Sequence, residues 1–480
     1  MNPDRAYFLN HRPRLRDLFT TRREFLNRCG MGFGALSFLG LTASGLLPGE
    51  TADAADVSFS PLAPKPPHFP TKAKRVLHIF AAGAPSQLDT WDPKPGLQRY
   101  DNQTMPDDAN GVAFASPFTF NKMGKSGIDV SEVFPLLGGH VDKLAVIRSM
   151  FTDIPDHDTA TLMMNTGDPR MIKPSVGAWV TYGLGSENQK MPGFVALGPG
   201  GVSAKNLRAA FLPGVYQGSA VDTQQVAVDK LIENIKNNYT SQQEQRRQLD
   251  LLNQLNEEHS QNLRKDAQLE ARLQAFELAF QMQIEATDAF DISKEPEKVR
   301  QAYGAETQQG RQMLIARRLL QKGVRFVQVW HGGWDHHSNL GTDLRRRAAE
   351  CDKPIAALLE DMSQSGLLDE TLILWGGEFG RSPSADGNAM GRSPGRTHNH
   401  RAFSMWLAGA GVKSGTIFGA TDEFGARALQ DKVHVHDLHA TILHLLGLNH
   451  EKLNYRYNGR DFRLTEVSGA LGAVVKGVLA

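Results

Sequence analysis

Two cysteines in 480 residues leave little room for sulfur chemistry. Cys29 lies in an N-terminal stretch read below as an export signal. Once that stretch is removed Cys351 stands alone, and no internal disulfide can form even in an oxidising destination. Net charge is equally scarce, with 53 basic against 52 acidic side chains, so no strong field draws the chain to nucleic acid or anionic lipid. An H-E-x-x-H helix is missing, which sets aside the common metalloprotease arrangement. The richest apolar run, "MGFGALSFLGLTASGLL" at 31–47, is short and glycine-rich, a weak basis for a retained membrane span.

What is present begins with paired Arg22 and Arg23 in "TRREFLN", ahead of that run and of "ADA" ending at Ala54. The pattern resembles a twin-arginine signal with cleavage after about residue 54. It predicts passage through the twin-arginine export machinery to the periplasm or the exterior, with no stable membrane span after signal removal. Removing residues 1–54 takes 7 basic and 5 acidic residues and leaves 46 against 47, a nearly neutral chain of 426 residues. Residues 55–74 are Pro-rich and aperiodic, the composition of a surface linker.

From residue 75 short apolar runs recur: "RVLHIF", "LAVIRS", "GFVALG", "VRFVQVW", "TLILWGG" and "FSMWLAG". Continuous apolar runs mark strands buried on both faces, and the helical patterns between them predict an α/β fold on a largely parallel sheet. Residues 221–304 turn to Gln, Glu, Asn, Lys and Leu, with Leu252, Leu255, Leu269, Leu273, Phe276 and Phe280 at three- and four-residue spacings. That predicts a helical hairpin inserted on the main sheet rather than a partner-binding coiled coil. "HVHDLHATILHLLGLNH" reads as a helix capped by Asp437, in which His439 and His444 are ordinary helix residues.

Ten of the 16 histidines fall between His331 and His450, and "VQVWHGGWDHHSN" crowds His331, Asp335, His336 and His337 behind one strand. Ligands of open α/β sheets gather beyond the carboxyl ends of the strands. Asp89, Asp335, Glu378, and His398 or His400 all follow predicted strands. Asp335 and His337, two apart on a glycine-hinged loop, can chelate one ion from the same side. Glu378 has a competing reading as a salt-bridge partner of Arg381, and Asp89 one as a turn residue. Of His398 and His400 either can ligate while the other orients. Carboxylates and imidazoles without thiolate suit zinc or manganese, with calcium also open, and one or two divalent ions.

In order, strand then Asp89, "HDTATLMMNTG", "GGWDHHSN", "TLILWGGEFGRSP", "THNHRAFSMWLAGAGV" and "HDLHATILHLLGL" resemble the alkaline phosphatase and sulfatase superfamily. More closely, the chain resembles its exported, sulfatase-like branch, domain-of-unknown-function family 1501, along nearly all of residues 75–470. The resemblance implies a three-layer alkaline phosphatase-like fold. It implies Asp89 as a first-strand metal ligand, Asp335, His337 and His400 around one ion, and Glu378 at the start of a ligand pair. Phe379 stands where that pair has a histidine, so a second metal lacks a donor.

The position of the sulfatase formylglycine is His157, and Cys351 sits in the wrong context, so formylglycine chemistry is not expected. His157 has three readings: a substitute metal ligand, a nucleophile, or the remnant of a lost catalytic centre. The first ranks highest, with Arg381 stabilising the developing anion. The implied function is metal-dependent hydrolysis of a phosphate or sulfate ester, of a small molecule or a polysaccharide. Its rival is an exported binding or scaffold protein without turnover.

Overall fold

The computed structural model describes residues 61–106, 111–200, 203–231, 239–262, 273, 276–277, 280, 287–387, 393–467 and 470–480. The signal at 1–54, the start of the linker and much of the segment between 263 and 286 lie outside the described residues. Among those described, no helix is long and apolar enough to cross a membrane.

The apolar runs become strands β1 (Arg75–Phe80), β2 (Leu144–Phe151), β3 (Phe194–Leu197), β4 (Ser219–Val221), β5 (Phe326–Trp330) and β6 (Thr371–Gly376). After a hairpin of β7 (Gly380–Ala385) and β8 (Arg396–Asn399) come β9 (Phe403–Gly409), β10 (Thr416–Phe418) and β11 (Val433–His434). The main sheet runs β10-β2-β9-β6-β1-β5-β3-β4, with β11 beside β2. Every neighbouring pair is parallel except the two that β9 makes with β6 and β2. Both faces of the sheet are covered, which accounts for the central apolar runs that do not alternate.

Those covers are helices α1 (His157–Thr166), α2 (Val176–Leu184), α4 (Glu297–Tyr303), α5 (Gln308–Gln321), α6 (Leu340–Gln364) and α7 (Val435–Leu445), while α3 (Gln242–Asn262) packs in a small cluster of its own. Leu77 and Ile79 of β1 pack with Leu314, Leu319, Leu358 and Leu359 of α5 and α6. Val76 and Phe80 turn the other way, towards Met163, Trp179 and Leu438 of α1, α2 and α7. Helices, sheet and helices therefore form three layers, as residues alternating along a strand require. Cys351 is fully buried in α6, where burial pushes its thiol well above the usual range.

The linker is not free of the body. Among residues 61–74, Lys65 donates its backbone N–H to Leu184, and Lys72 and Ala73 donate theirs to Leu445. In the insertion, Leu249 of α3 packs with Phe276 and Phe280, and Arg246 meets Glu277 at 2.6 Å.

Three buried histidines meet where β1 faces α1 and α7: His78 on β1, and His436 and His439 on α7. Burial lowers His78 and His436 to about 3 and His439 to about 4; the His439 charge adds to the effect on the first two. Each binds fewer protons folded than unfolded, so stability is fully present above the unfolded value near 6.5 and is lost as pH falls towards 4. At roughly 1.4 kcal/mol per unit and group, denaturant midpoints should drop by several kcal/mol equivalent between pH 7 and pH 5. His439→Gln should flatten that slope; a pH-independent midpoint over this range would contradict it.

Candidate metal centre

Three segments deliver donors to one point beyond the carboxyl ends of β1, β5 and β6. The first is the start of α1, where Asp156 caps the helix by accepting the Thr159 N–H at 3.1 Å, and Gly167 ends it with φ 71°. That fixes His157 as the first helical residue. The second is the loop after β5. Trp334, fully buried against Trp375 at 5.8 Å between ring centres, anchors it, and the His336 carbonyl accepts the Arg396 N–H at 3.0 Å. Gly83 (φ 107°) lets the loop after β1 close on it, since a Cβ there would lie 2.7 Å from the Asp335 nitrogen. The third is the β7–β8 hairpin, whose register sets His398 opposite Arg381.

The result is one cluster of four donors, His157, Asp335, His337 and His398, with ligand atoms all within 4.8 Å of one another. Asp335 Oδ1 lies 3.2 Å from His157 Nε2, 2.9 Å from His337 Nε2 and 3.6 Å from His398 Nε2. The two latter nitrogens are 3.1 Å apart. Each imidazole turns its other nitrogen to an oxygen acceptor: His157 Nδ1 to Glu378 at 2.6 Å, His337 Nδ1 to Asp386 at 2.6 Å, His398 Nδ1 to the Pro155 carbonyl at 3.0 Å. If all three Nδ1 atoms carry the proton, three Nε2 lone pairs face one carboxylate. The His157 Nε2 is buried, with Asp335 Oδ1 near it at 3.2 Å but not aligned for a good hydrogen bond. Such a convergence of acceptors is satisfied by a cation, and the outer oxygens are the partners that orient metal-bound histidines.

The local charges agree. Burial disfavours the His157 cation, yet Asp335 and Glu378 outweigh it and raise the group to about 9. Burial also opposes ionisation of Asp335, but His157 and Arg381 hold its carboxyl far below the usual range. The pocket thus draws one positive charge to itself, which a proton on His157 or a metal ion can supply. His398 is pushed down by burial and then by the Arg381 and His157 charges.

Other residues predicted for the site stand one step back or elsewhere. Glu378 is buried behind His157, its oxygens accepting the Gly83 N–H at 3.0 and 3.2 Å. Arg381, its side chain wholly buried, donates to Asp335 and Gly83 O at 2.5 Å and to Ala84 O at 2.9 Å, so it holds Asp335 in place. Asp89 is not brought to the cluster. It is completely buried in a two-toothed pair with Arg396, at 2.7 and 3.2 Å. His400 is also outside it, its carbonyl accepting the Thr152 N–H at 2.9 Å. His336 is buried with its Nδ1 unpartnered, outside the cluster, and His331 meets Glu350 at 3.2 Å. Phe379 packs 4.8 Å from both the His157 and His398 rings and sets their planes.

Asp386 went unpredicted, because an aspartate in "SADGN" carries no mark of a histidine 49 residues earlier. Asp386→Asn should weaken metal binding about 10- to 100-fold without abolishing it. Competition against a metallochromic chelator reads this directly, and unchanged affinity would remove its orienting role.

Fold and centre together define an α/β protein with a His-and-Asp cluster suited to one metal ion at the carboxyl edge of a mostly parallel sheet. The chain belongs to the family described as "Protein of unknown function (DUF1501)", whose profile matches residues 73–479. No curated protein matches it. Among solved structures it is similar to the lipoteichoic acid synthase LtaP from Listeria monocytogenes, with 9% identity over 87% of this chain and 80% of that one and a TM-score of 0.39. It is similar to a protein in the alkaline phosphatase superfamily from Vibrio parahaemolyticus, with 11% identity over 88% and 75% and a TM-score of 0.34. The alkaline phosphatase from the Antarctic bacterium TAB5 gives 10% identity over 78% and 98% and a TM-score of 0.32. Overlaps this loose carry nothing about chemistry.

Proposed function

We propose that the chain is an exported, metal-dependent hydrolase of phosphate or sulfate esters, of a small molecule or a polysaccharide, working in the periplasm or outside the cell. The observation that carries the metal is the arrangement of three imidazoles, each tied through Nδ1 to an oxygen, with their Nε2 atoms around Asp335 Oδ1. His157, Asp335, His337 and His398 would hold the ion. Three nitrogens and one carboxylate oxygen suit zinc, and manganese is the next choice. A divalent ion there supplies Lewis acidity to an ester oxygen and makes water a nucleophile near neutral pH. The ester class comes from the motif order, which resembles the alkaline phosphatase and sulfatase superfamily.

The remaining roles belong to the protein. Glu378, Asp386 and the Pro155 carbonyl fix ring orientation, and Arg381 fixes Asp335. Both nitrogens of His157 are engaged, one by Glu378 and the other at the cluster, which favours the ligand role over the nucleophile. Two candidate nucleophiles are committed elsewhere: Thr159 Oγ1 donates to Asp156 at 2.5 Å and Cys351 is buried in α6. That supports attack by water over attack by either of these side chains. Assay of the zinc- and manganese-loaded chain against 4-nitrophenyl phosphate and 4-nitrophenyl sulfate tests the reading. Turnover of either, lost in Asp335→Ala/His337→Ala, is expected. Tight metal binding without turnover of these or of polysaccharide sulfates would leave the binding-protein reading.

A further inference from the structure

Two of the four donors take their place from a residue outside the cluster. Arg381 stands opposite His398 in the β7–β8 hairpin, and its guanidinium donates to Asp335. Its side chain is wholly buried in close-packed surroundings, so a shift of its backbone is passed on to Asp335, and the same shift of β7 is passed on to His398. Both ends of Arg381 are held by one short stretch of another element, the loop after β1, and the backbone end is held by Gln87.

Gln87 is 1% exposed and opens a single tight turn, Gln87–Asp89. Its carbonyl accepts the N–H groups of Thr90, Trp91 and Asp92 at 3.3, 3.1 and 2.8 Å, so the side chain starts from an anchored point. Its amide makes two bonds to one residue: Oε1 accepts the Arg381 N–H at 2.8 Å, and Nε2 donates to the Arg381 carbonyl at 2.9 Å. Nε2 also donates to the Gly425 carbonyl at 3.3 Å, which uses both of its hydrogens. Gly380 makes room for this approach, since a Cβ there would lie 2.4 Å from Gln87 Oε1. The guanidinium end of Arg381 donates to the carbonyls of Gly83 at 2.5 Å and Ala84 at 2.9 Å. Residues 83–87 thus grip Arg381 at backbone and side chain together, and that grip places Asp335 and His398.

We infer that Gln87 is a positioning residue of the metal centre, which sets how Asp335 and His398 meet the ion by fixing Arg381. It acts through Arg381 rather than on the ion, and the role rests on the metal reading of the cluster. It is independent of which ester, if any, is hydrolysed. A methionine at this position fills much the same volume but leaves the Arg381 N–H and carbonyl, both buried, without their partner. Buried backbone groups are rarely left so, and β7 shifts to satisfy them.

Cobalt(II) is the probe, because its visible absorption reports the number and arrangement of its ligands. In Gln87→Met the cobalt dissociation constant of the full chain should rise about tenfold, the lower end of what residues that orient metal ligands contribute, and the absorption bands should shift. Gln87→Asn, one methylene shorter and able to keep one of the two bonds, should move both in the same direction by less. Melting temperatures of the same samples separate positioning from packing. A lower melting temperature with unchanged spectrum and affinity in both variants makes Gln87 structural and overturns the role. If Gln87→Met does not fold, Gln87→Asn decides by the same readouts. An unsubstituted chain that takes up no cobalt overturns the metal reading and the positioning role with it, whereas cobalt bound alike in all three chains overturns the positioning role alone.

Discussion

Asp335→Ala/His337→Ala binds no transition metal under conditions in which the unsubstituted chain holds about one equivalent of zinc or manganese. Structural zinc sites with four protein donors are worth ~10–16 kcal/mol, or about 3 kcal/mol per donor. Removing two therefore weakens binding roughly ten-thousand-fold. No fourfold replacement is at hand: the cluster is the one such group among the described residues. Elemental mass spectrometry after dialysis gives the stoichiometry. Full occupancy in the double variant would mean that the ion sits elsewhere and that the "GGWDHHSN" loop is structural.

The single substitution His157→Ala refines that result. His157 reaches the cluster from α1, a different element from the loop of Asp335 and His337, and is backed by Glu378 at 2.6 Å. As a ligand its loss costs about a hundredfold in affinity, at about 3 kcal/mol per donor. Unchanged stoichiometry and affinity would return it to the other two readings. Because Glu378 is almost fully buried and Gly83 donates to both its oxygens, the variant also strands a buried carboxylate. Stability measured in parallel separates that cost from metal loss.

Much of the architecture was legible because its signals are local. Strands buried on both faces are mostly apolar, so "VLHIF", "FVQVW" and "TLILWG" read as sheet interior, and the carboxyl-edge rule pointed to the edge where the four donors gather. The pairing of Asp335 with His337 was also local, since the two stand two residues apart on one loop. What was not legible depends on distant partners. His398 rather than His400 reaches the cluster because the β8 register sets it across from Arg381, and a register is decided by two strands. Asp386 is placed by the turn after β7, where its N–H bonds to Gly395 O at 3.0 Å. Arg381 looked like a group for a developing anion, but the carbonyls of Gly83 and Ala84 bury it and commit it to Asp335. His331 joined the cluster in sequence only; as the first residue beyond β5 it meets Glu350 instead.

Asp89→Ala should cost stability and leave metal binding intact. In sequence Asp89 resembles a first-strand ligand, yet its carboxylate and Arg396 share a fully buried pair, with both side chains at 0% exposure. Arg396 has other contacts, to the carbonyls of Ser382 and Pro383 at 3.2 Å and over the Phe114 ring at 4.6 Å. None of them neutralises its charge. Breaking a buried pair from one side leaves an uncompensated ion and costs about 3–5 kcal/mol, which lowers the melting temperature of a chain this long by roughly 3–6 °C. Removing both charges is milder, so Asp89→Ala/Arg396→Met should regain most of the loss. Melting curves and metal stoichiometry on the same samples decide the role. A chain that loses its metal at an unchanged melting temperature would make Asp89 a ligand after all. Loss of stability with the metal retained makes it the clamp that holds the β7–β8 hairpin, and with it His398, against the turn after β1.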